Sequence, residues 1–247
     1  MSHLLGSLSE VQLWTEATYV GFDLETTGIS SFTDSPVSYG FVTHHHDMWG
    51  LKVTREGGLV NPGVPIPEGA SAIHGITDAM VADQPLLVDV AEHIASTLGS
   101  IWRDGGVVVG MNVSYDLTMV DSLCHRLGLP TLKKRGPIGP VMDILILDRH
   151  FDKWRKGSRR LTDLCGQYGV ILDSAHSASA DAEASLEIFE VMVGKYPEIE
   201  IIPLHKVNAV MRTWYRQWLS SFSEYLVKKG ETPVDVGRFA WPIHEDK

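Results

Sequence analysis

The sequence predicts an α/β fold in which helices flank a mixed five-stranded sheet, followed by one C-terminal amphipathic helix. Three stretches rich in β-branched and aromatic residues come first, within residues 19–59, and the short connections between them indicate an antiparallel meander. Helix and strand patterns then alternate up to about residue 195, which is typical of parallel strands joined by helices. Antiparallel and parallel connections in one chain predict a mixed sheet.

The first predicted strand is an apolar run that begins at Tyr19 and ends in Asp23 and Glu25. Because side chains alternate along a strand, the two carboxylates point to the same face of the sheet. Neighbouring carboxylates repel each other unless a cation lies between them, so the pair indicates either a metal site or a solvated strand end. Residues 37–46 and 48–59 supply the other two strands of the meander.

The segments that follow alternate between helix and strand. Residues 107–111 predict a buried central strand, residues 133–137 predict a basic loop, and residues 141–147 begin as a strand. Helices are predicted where apolar residues recur every three or four positions. They lie at about residues 85–103, 112–127, 161–168, 181–195 and 204–229. The last of them is predicted to carry one apolar stripe, formed by Val207, Val210, Met211, Trp214, Trp218, Phe222 and Tyr225.

The composition limits the classes of function. A formal net charge of −10 over 247 residues argues against a protein that coats nucleic acid by bulk attraction, but not against an enzyme with a local basic groove. Two cysteines are too few for a disulfide framework, which fits a reduced cytoplasm. The first residues resemble neither a signal peptide nor a membrane anchor, so we expect a cytoplasmic protein without membrane contact.

The densest positive stretch lies within residues 152–160. Such a run in an acidic chain indicates either a solvated surface or contacts with the phosphates of a nucleic acid. Arg159 and Arg160, at its end, are the candidate substrate contacts.

Two further polar features of the strands have both a functional and a structural interpretation. His44, His45 and His46 invite a metal site, but the middle histidine of a strand faces away from the other two, so exposed histidines are the preferred interpretation. Asp143 is a candidate extra carboxylate ligand, and we expect it instead to cap the helix that follows.

More acids occur where two predicted helices begin. Asp116 follows the central strand, and Asp181 opens a helix five residues after His176. Three distant segments can therefore bring four carboxylates to one end of the sheet. Four carboxylates suit two divalent cations that stabilise an in-line phosphoryl displacement. His176, in a flexible loop, is expected to swing in and take a proton from the attacking water.

Four short motifs, in this order and spacing, resemble the DEDD 3′–5′ exonucleases in their histidine-bearing DEDDh form. Phe22–Gly28 resembles the first exonuclease motif, residues 112–116 the second, and residues 176–181 the third. Residues 73–77 resemble a segment of the proofreading epsilon subunit of bacterial DNA polymerase III and its DnaQ-like relatives. The joint match covers about residues 18–196 and is specific because four motifs coincide.

The resemblance implies an RNase H-like fold and release of nucleoside monophosphates from the 3′ end of DNA, chiefly from single-stranded or frayed ends. It places the exonuclease domain at residues 18–200, after a lead-in at 1–17 and before a C-terminal helix and tail at 201–247. By the match, two Mg²⁺ or Mn²⁺ ions are held by Asp23, Glu25, Asp116 and Asp181, with His176 as general base. The residues expected near the terminal nucleotide are Leu24, Thr26, Thr27, Ile73, His74 and Asn112.

Several alternatives stay open. Asn112 can instead cap the next helix, and His74 can simply be packed. An RNA-trimming exoribonuclease, similar to oligoribonuclease or RNase T, would share the same metal site, and an inactive nucleic-acid-binding scaffold would share the fold. A polymerase or replisome partner is an open expectation. Residues 217–222 resemble a sliding-clamp peptide, but packing on the domain is the preferred interpretation. The C-terminal tail resembles those of stand-alone exonucleases from actinobacteria and their phages.

Overall fold

The computed structural model describes residues 17–47, 50–172 and 176–245. Residues 1–16 of the predicted lead-in, and the predicted strand start at residues 48–49, lie outside the described residues. Within them, one sheet contains the five predicted strands. These are β1 (Tyr19–Thr26), β2 (Pro36–Asp47), β3 (Gly50–Leu59), β4 (Val107–Gly110) and β5 (Val141–Asp143).

The strand order is β3-β2-β1-β4-β5, and the sheet is mixed as predicted. β1 is antiparallel to β2 and parallel to β4, β3 is antiparallel to β2, and β5 is parallel to β4. The carboxyl ends of the three parallel strands therefore meet at one edge. The register shifts between Glu25 and Thr26, where β1 leaves the sheet. This edge collects the acidic residues that follow β1, β4 and β5.

The predicted helices are all present, and residues 68–74 form a further helix that was not predicted. Residues 132–135 form a helical turn where a basic loop was predicted, and residues 144–147 are helical because β5 ends at Asp143. A short apolar run fits a buried strand and a buried helix equally well, which explains the error at residues 144–147. The helices are α1 (Glu68–His74), α2 (Asp78–Val81), α3 (Leu87–Arg103), α4 (Val113–Arg126), α5 (Leu132–Arg135), α6 (Ile144–Phe151), α7 (Leu161–Tyr168), α8 (Ala178–Lys195) and α9 (Val207–Lys228).

Glycines let α8 approach the sheet closely. A Cβ on Gly21 of β1 would overlap the carbonyl of Ala182, and one on Gly40 of β2 would overlap the backbone of Ser179. Gly21 and Asp23 are two residues apart on β1, so both point to the same face of the sheet. The N-terminal end of α8 lies over that face, because Gly21 contacts Ala182. This packing determines where the acid in the first turn of α8 can lie.

The C-terminal helix α9 packs on α6 and β5. Its buried face differs from the predicted stripe, which also included Trp214, Trp218 and Phe222. The fully buried positions recur every four residues, and the predicted aromatic residues lie beside them with more exposure to solvent. The buried residues are Val207, Met211, Tyr215 and Leu219. Leu219 is buried against the domain and Trp218 packs partly beside it, as the preferred interpretation expected, while Gln217, Ser220, Ser221 and Phe222 are exposed.

Among the described residues, we find no helix with the length and apolar character needed to cross a membrane.

Candidate active site

The site begins with Asp23 and Glu25 at the end of β1. They pair with Gly40 and Ser38 of β2, so the strand register holds both side chains on the face that α8 covers. α8 begins at Ala178, which places Asp181 in its first turn directly above them. One oxygen or nitrogen ligand atom each from Glu25, Asp181 and His176 lies within 4.8 Å of the other two.

Asp116 reaches the same place from the turn between β4 and α4. Asn112 adopts a left-handed backbone conformation there, with φ of 56°, and α4 starts at the next residue. The Asn112 amide donates a hydrogen bond of 3.1 Å to Asp143 Oδ1. This bond fixes the turn that positions Asp116, which is 4% exposed in the first turn of α4. The Asn112 side chain makes no capping hydrogen bond, so its capping alternative is wrong.

Asp143 caps α6, as predicted. Its Oδ1 accepts hydrogen bonds from the backbone amides of Leu145 at 2.8 Å and Ile146 at 3.4 Å. Burial raises the pKa of this carboxyl to about 6, although the three amide bonds to it oppose the shift. Asp143 therefore supports the turn beside the acids while its negative charge adds to the field at Asp116.

Burial and mutual repulsion disfavour ionisation of the four acids. Desolvation, followed by the charges of Asp116, Asp181 and Glu25, raises the pKa of Asp23 well above its usual range. Desolvation likewise raises the pKa of Asp116 well above its usual range. Burial and the charge of Asp181 raise the pKa of Glu25 to about 7, and burial raises that of Asp181 to about 6.

These acids fit a site for divalent cations. Within the described parts of the chain, no Lys or Arg forms an ion pair with any of the four carboxylates. Asp181 Oδ1 is also buried without a hydrogen-bond partner among these residues. A buried carboxylate oxygen without a partner is costly, and a bound cation would satisfy it. Carboxylate oxygens are the ligands that Mg²⁺ and Mn²⁺ prefer.

His176 already faces the acids. Its side chain is exposed, its backbone is left-handed with φ of 67°, and residues 173–175 before it lie outside the described residues. The expected swing is therefore not needed to bring the ring close, because a ring nitrogen is within 4.8 Å of the carboxylates of Glu25 and Asp181. The charge of His176 and its backbone amide both favour the ionised form of Asp181.

A cavity of about 670 Å³ adjoins His176 and Asp181. Ile73, which is 62% exposed, and Arg160 both line it, as expected for substrate contacts. Three lining positions on α7 and the segment after it were not expected. They are Leu161, Thr162 and Leu172.

The other expected substrate contacts are less open. Leu24 is 6% exposed within the core and Thr27 is 5% exposed, so their side chains are largely internal. Thr26 Oγ1 donates a hydrogen bond of 2.7 Å to the Gly28 carbonyl. His74 is half-buried at the end of α1, and its pKa is lowered mainly by burial, while the Thr26 backbone raises it and His176 lowers it. His74 therefore lies near both Thr26 of β1 and His176.

Arg159, which was predicted to contact substrate, makes an internal ion pair instead. Its Nε donates a hydrogen bond of 2.6 Å to Asp148, a fully buried carboxylate of α6. Asp148 also accepts bonds from Arg155 at 3.0 Å and from the Tyr168 hydroxyl at 2.9 Å. Arg159 thus anchors the basic segment internally, whereas Arg160 is exposed toward the cavity. No local pattern distinguishes Asp148 from other helix acids, so this contact was not predictable.

Tyr115 is a second residue that the sequence reading missed. Its hydroxyl donates a hydrogen bond of 2.6 Å to the Gly28 carbonyl and lies 3.3 Å from Thr26 Oγ1. It therefore joins the turn after β1 to the start of α4. Its position directly before Asp116 is the sequence feature that could have indicated a role near the site.

The histidine run on β2 does not form a metal cluster among the described residues. His44 is buried and its Nδ1 is 2.8 Å from Glu190 of α8, whereas His45 is exposed. The two adjacent side chains thus face opposite sides of the strand.

The comparisons with known proteins agree with this geometry. The chain matches the exonuclease family RNase_T over residues 20–189. It is 32% identical over 196 residues to the PolC-type DNA polymerase III of Caldanaerobacter subterraneus subsp. tengcongensis, which covers 79% of this chain and 13% of that protein. It is 34% identical over 169 residues to the same type of polymerase from Lacticaseibacillus paracasei, covering 68% of this chain and 11% of that protein. The chain spans only a small part of these relatives.

Solved structures share the fold. E. coli Exonuclease I in complex with a dT13 oligonucleotide matches with a TM-score of 0.61 and 19% identity, over 74% of this chain and 42% of that chain. Exonuclease X in complex with 5′-overhanging duplex DNA matches with a TM-score of 0.51 and 19% identity, over 76% of this chain and 98% of that chain.

The chain therefore belongs to the RNase_T exonuclease family. The RNase H-like fold and the likeness to 3′–5′ exonucleases of the DnaQ type, both implied by the motifs, are confirmed.

Proposed function

We propose that this protein is a metal-dependent 3′–5′ exonuclease that releases nucleoside monophosphates from DNA. One observation carries the proposal: within the described residues, the carboxylates of Asp23, Glu25, Asp116 and Asp181 lie close enough for their charges to interact, form no ion pair with Lys or Arg, and adjoin His176 and an open cavity. A purely structural role would leave these partly buried carboxylates without an ion pair to Lys or Arg among the described residues, at a cost in stability.

In this proposal, the four acids hold two Mg²⁺ or Mn²⁺ ions. Bound there, the cations would stabilise the charge that develops on the attacking and leaving oxygens of the phosphodiester. The carboxylates supply the negative charge that retains them, and β1, α4 and α8 hold those carboxylates in place before substrate arrives.

His176 accepts the proton of the attacking water. Its ring lies beside Glu25 and Asp181 but is exposed to the cavity, so a proton taken there can pass to solvent.

The cavity is proposed to hold the terminal nucleotide. Ile73, 62% exposed, offers an apolar surface for a base or sugar, and the guanidinium of Arg160 offers charge-assisted hydrogen bonds to a phosphate. His74, which lies near Thr26 of β1 and His176, helps to shape the same end of the cavity.

DNA is favoured over RNA as the substrate. The two sequence relatives described above are named as DNA polymerases, and the two solved neighbours described there are complexes with DNA. An exoribonuclease is the second candidate, since the same acids and histidine would serve either polymer and only a contact with the 2′-hydroxyl would distinguish them. A cytoplasmic location and a polymerase or replisome partner are further parts of the proposal.

A digestion assay tests the function. Linear single-stranded DNA, duplex DNA, RNA and circular single-stranded DNA are incubated with the protein and Mg²⁺ or Mn²⁺, beside Asp181→Asn as an inactive control. We expect monophosphates from linear DNA, none from the circle, and no activity in EDTA. Cleavage of the circle would indicate an endonuclease, and preferential digestion of RNA would favour the second candidate. No digestion of any substrate would contradict the proposal.

A further inference from the structure

A second open site lies between the basic segment and α9. This groove, of about 900 Å³, is defined by six of its lining residues: Arg149, Lys153, Trp154, Arg159, Trp214 and Arg216. One wall of the groove is formed by α9, which lies outside the family match because that match ends at residue 189.

The groove is cationic although the chain is acidic. Four of its lining residues are Arg or Lys, and among the described residues none of those that line it is an acid. Arg159 is neutralised by Asp148. Arg149, Lys153 and Arg216 form no ion pair within the described parts of the chain. In a protein with a net charge of −10, such a local concentration of positive charge fits a polyanion.

The groove is also lined by aromatic faces. Trp154 is 85% exposed, with the Lys153 ammonium 5.1 Å from its ring centre. On the opposite wall, Trp214 stacks on His150 at 3.9 Å between ring centres, and the guanidinium of Arg149 lies 3.5 Å from the ring centre of Trp218. An indole this exposed contributes little to folding, and its face is available to a planar partner.

Cations interleaved with aromatic rings are the chemistry that binds single-stranded nucleic acid. The cations follow the phosphates and the rings stack on bases without regard to sequence. The groove lies near the cavity beside the four acids, because the consecutive residues Arg159 and Arg160 line the groove and the cavity respectively.

We propose that this groove binds a single nucleic-acid strand several nucleotides away from its 3′ end, while the end itself lies in the cavity. The proposal rests on the exonuclease function for its direction along the strand, but binding by the groove is a separate property. It gives the chain an affinity for longer strands that the exonuclease motifs alone do not provide.

The test compares two exposed arginines of α9. Arg216 lines the groove, whereas Arg212, one turn earlier and also exposed, does not. Full-length wild type, Trp154→Ala, Arg216→Ala, the double variant Trp154→Ala/Arg216→Ala and the control Arg212→Ala are titrated with fluorescent dT and rU oligonucleotides. EDTA prevents digestion. Oligonucleotides of roughly 4 and roughly 20 nucleotides bracket the length that one binding site covers.

We expect the double variant to lose about tenfold or more in affinity for the longer oligonucleotides, and Trp154→Ala alone at least about fivefold, since base stacking is lost. The loss should increase with strand length. The salt dependence of binding should weaken by about 0.7 in its logarithmic slope for each phosphate contact removed. Arg212→Ala should bind as wild type does, and all variants should keep the wild-type melting temperature.

Unchanged affinity and salt dependence in the double variant would overturn the proposal and leave the groove to a protein partner. An equal loss in Arg212→Ala would overturn it too, because a general charge effect would then explain the binding. Digestion of a labelled strand by wild type is measured in parallel. If digestion fails while groove-dependent binding persists, the exonuclease proposal fails and the groove stands.

Discussion

At the scale of residues, His176 and Asp181 have different tasks in the proposed mechanism, although a ring nitrogen of His176 and a carboxylate oxygen of Asp181 lie within 4.8 Å of each other. Asp181 has a buried oxygen without a partner, whereas His176 is exposed to the cavity. The first arrangement suits a metal ligand, and the second suits a group that exchanges protons with solvent.

We predict that His176→Ala lowers kcat by roughly 10²–10⁴-fold, the usual contribution of a general base. The rise of kcat with pH that a histidine base produces should disappear in this variant. The profile is measured at saturating Mn²⁺, so that protonation of Glu25 and Asp181 does not produce the same rise. A variant that kept the wild-type profile would show that another group accepts the proton.

At the scale of elements, the site depends on how closely α8 lies on the sheet. Gly21 of β1 and Gly40 of β2 leave room for the first turns of this helix. Any side chain at Gly21 would push against the carbonyl of Ala182, the residue after Asp181. The packing of Gly21 therefore influences the distance between Asp181 and the acids of β1.

We predict that Gly21→Ala destabilises the protein by about 1–3 kcal/mol, the usual cost of overpacking. It should lower kcat by roughly 10²-fold, because displacement of Asp181 by about an ångström misplaces a ligand. Gly58→Ala on β3 is the matched control, since a Cβ there meets no atom within 4 Å. Thermal melting and kcat are measured on both. Equal behaviour of the two variants would contradict the role of close packing.

The elements also show which parts of the structure were predictable. Two local rules, strand alternation and the preferences at helix starts, predict part of the site. They give the shared face of Asp23 and Glu25, the cap formed by Asp143, and the acids that open α4 and α8. The end of β5 was misplaced, since residues 144–147 continue the apolar run but are helical, and a short apolar run has no distinguishing period.

Contacts between distant segments were not predictable from one sequence. Arg159 was expected to reach a phosphate, yet it pairs with Asp148, whose burial only the folded chain reveals. The aromatic residues of α9 were expected in the core, but a neighbouring face with Tyr215 and Leu219 is buried instead. An amphipathic helix with apolar residues over a wide arc allows either orientation.

At the scale of the whole molecule, the four acids link stability to pH and to metal. Their raised pKa values mean that the folded, metal-free protein holds protons that the unfolded chain has released. Stability should therefore fall as pH rises from about 4, the ordinary carboxyl pKa, to about 7, the value for Glu25. Bound cations would remove this loss, because they stabilise the ionised carboxylates.

We predict that Mn²⁺ raises the melting temperature more at pH values above 7 than near pH 5, where protons occupy the carboxyls. Without metal, melting should occur at a lower temperature above pH 7 than near pH 5. Calorimetric or fluorescence melting with EDTA or Mn²⁺ at each pH measures both effects. The same gain from Mn²⁺ at both pH values would mean that the stabilising ions bind elsewhere.

The central claim is that the four acids, and not the histidine, hold the cations. Calorimetric titration of Mn²⁺ into wild type, Asp181→Asn and His176→Ala tests it most directly. We predict that Mn²⁺ binds tightly to wild type, with a large loss of affinity in Asp181→Asn and nearly wild-type affinity in His176→Ala. Wild-type affinity in Asp181→Asn, or an equal loss in both variants, would contradict it.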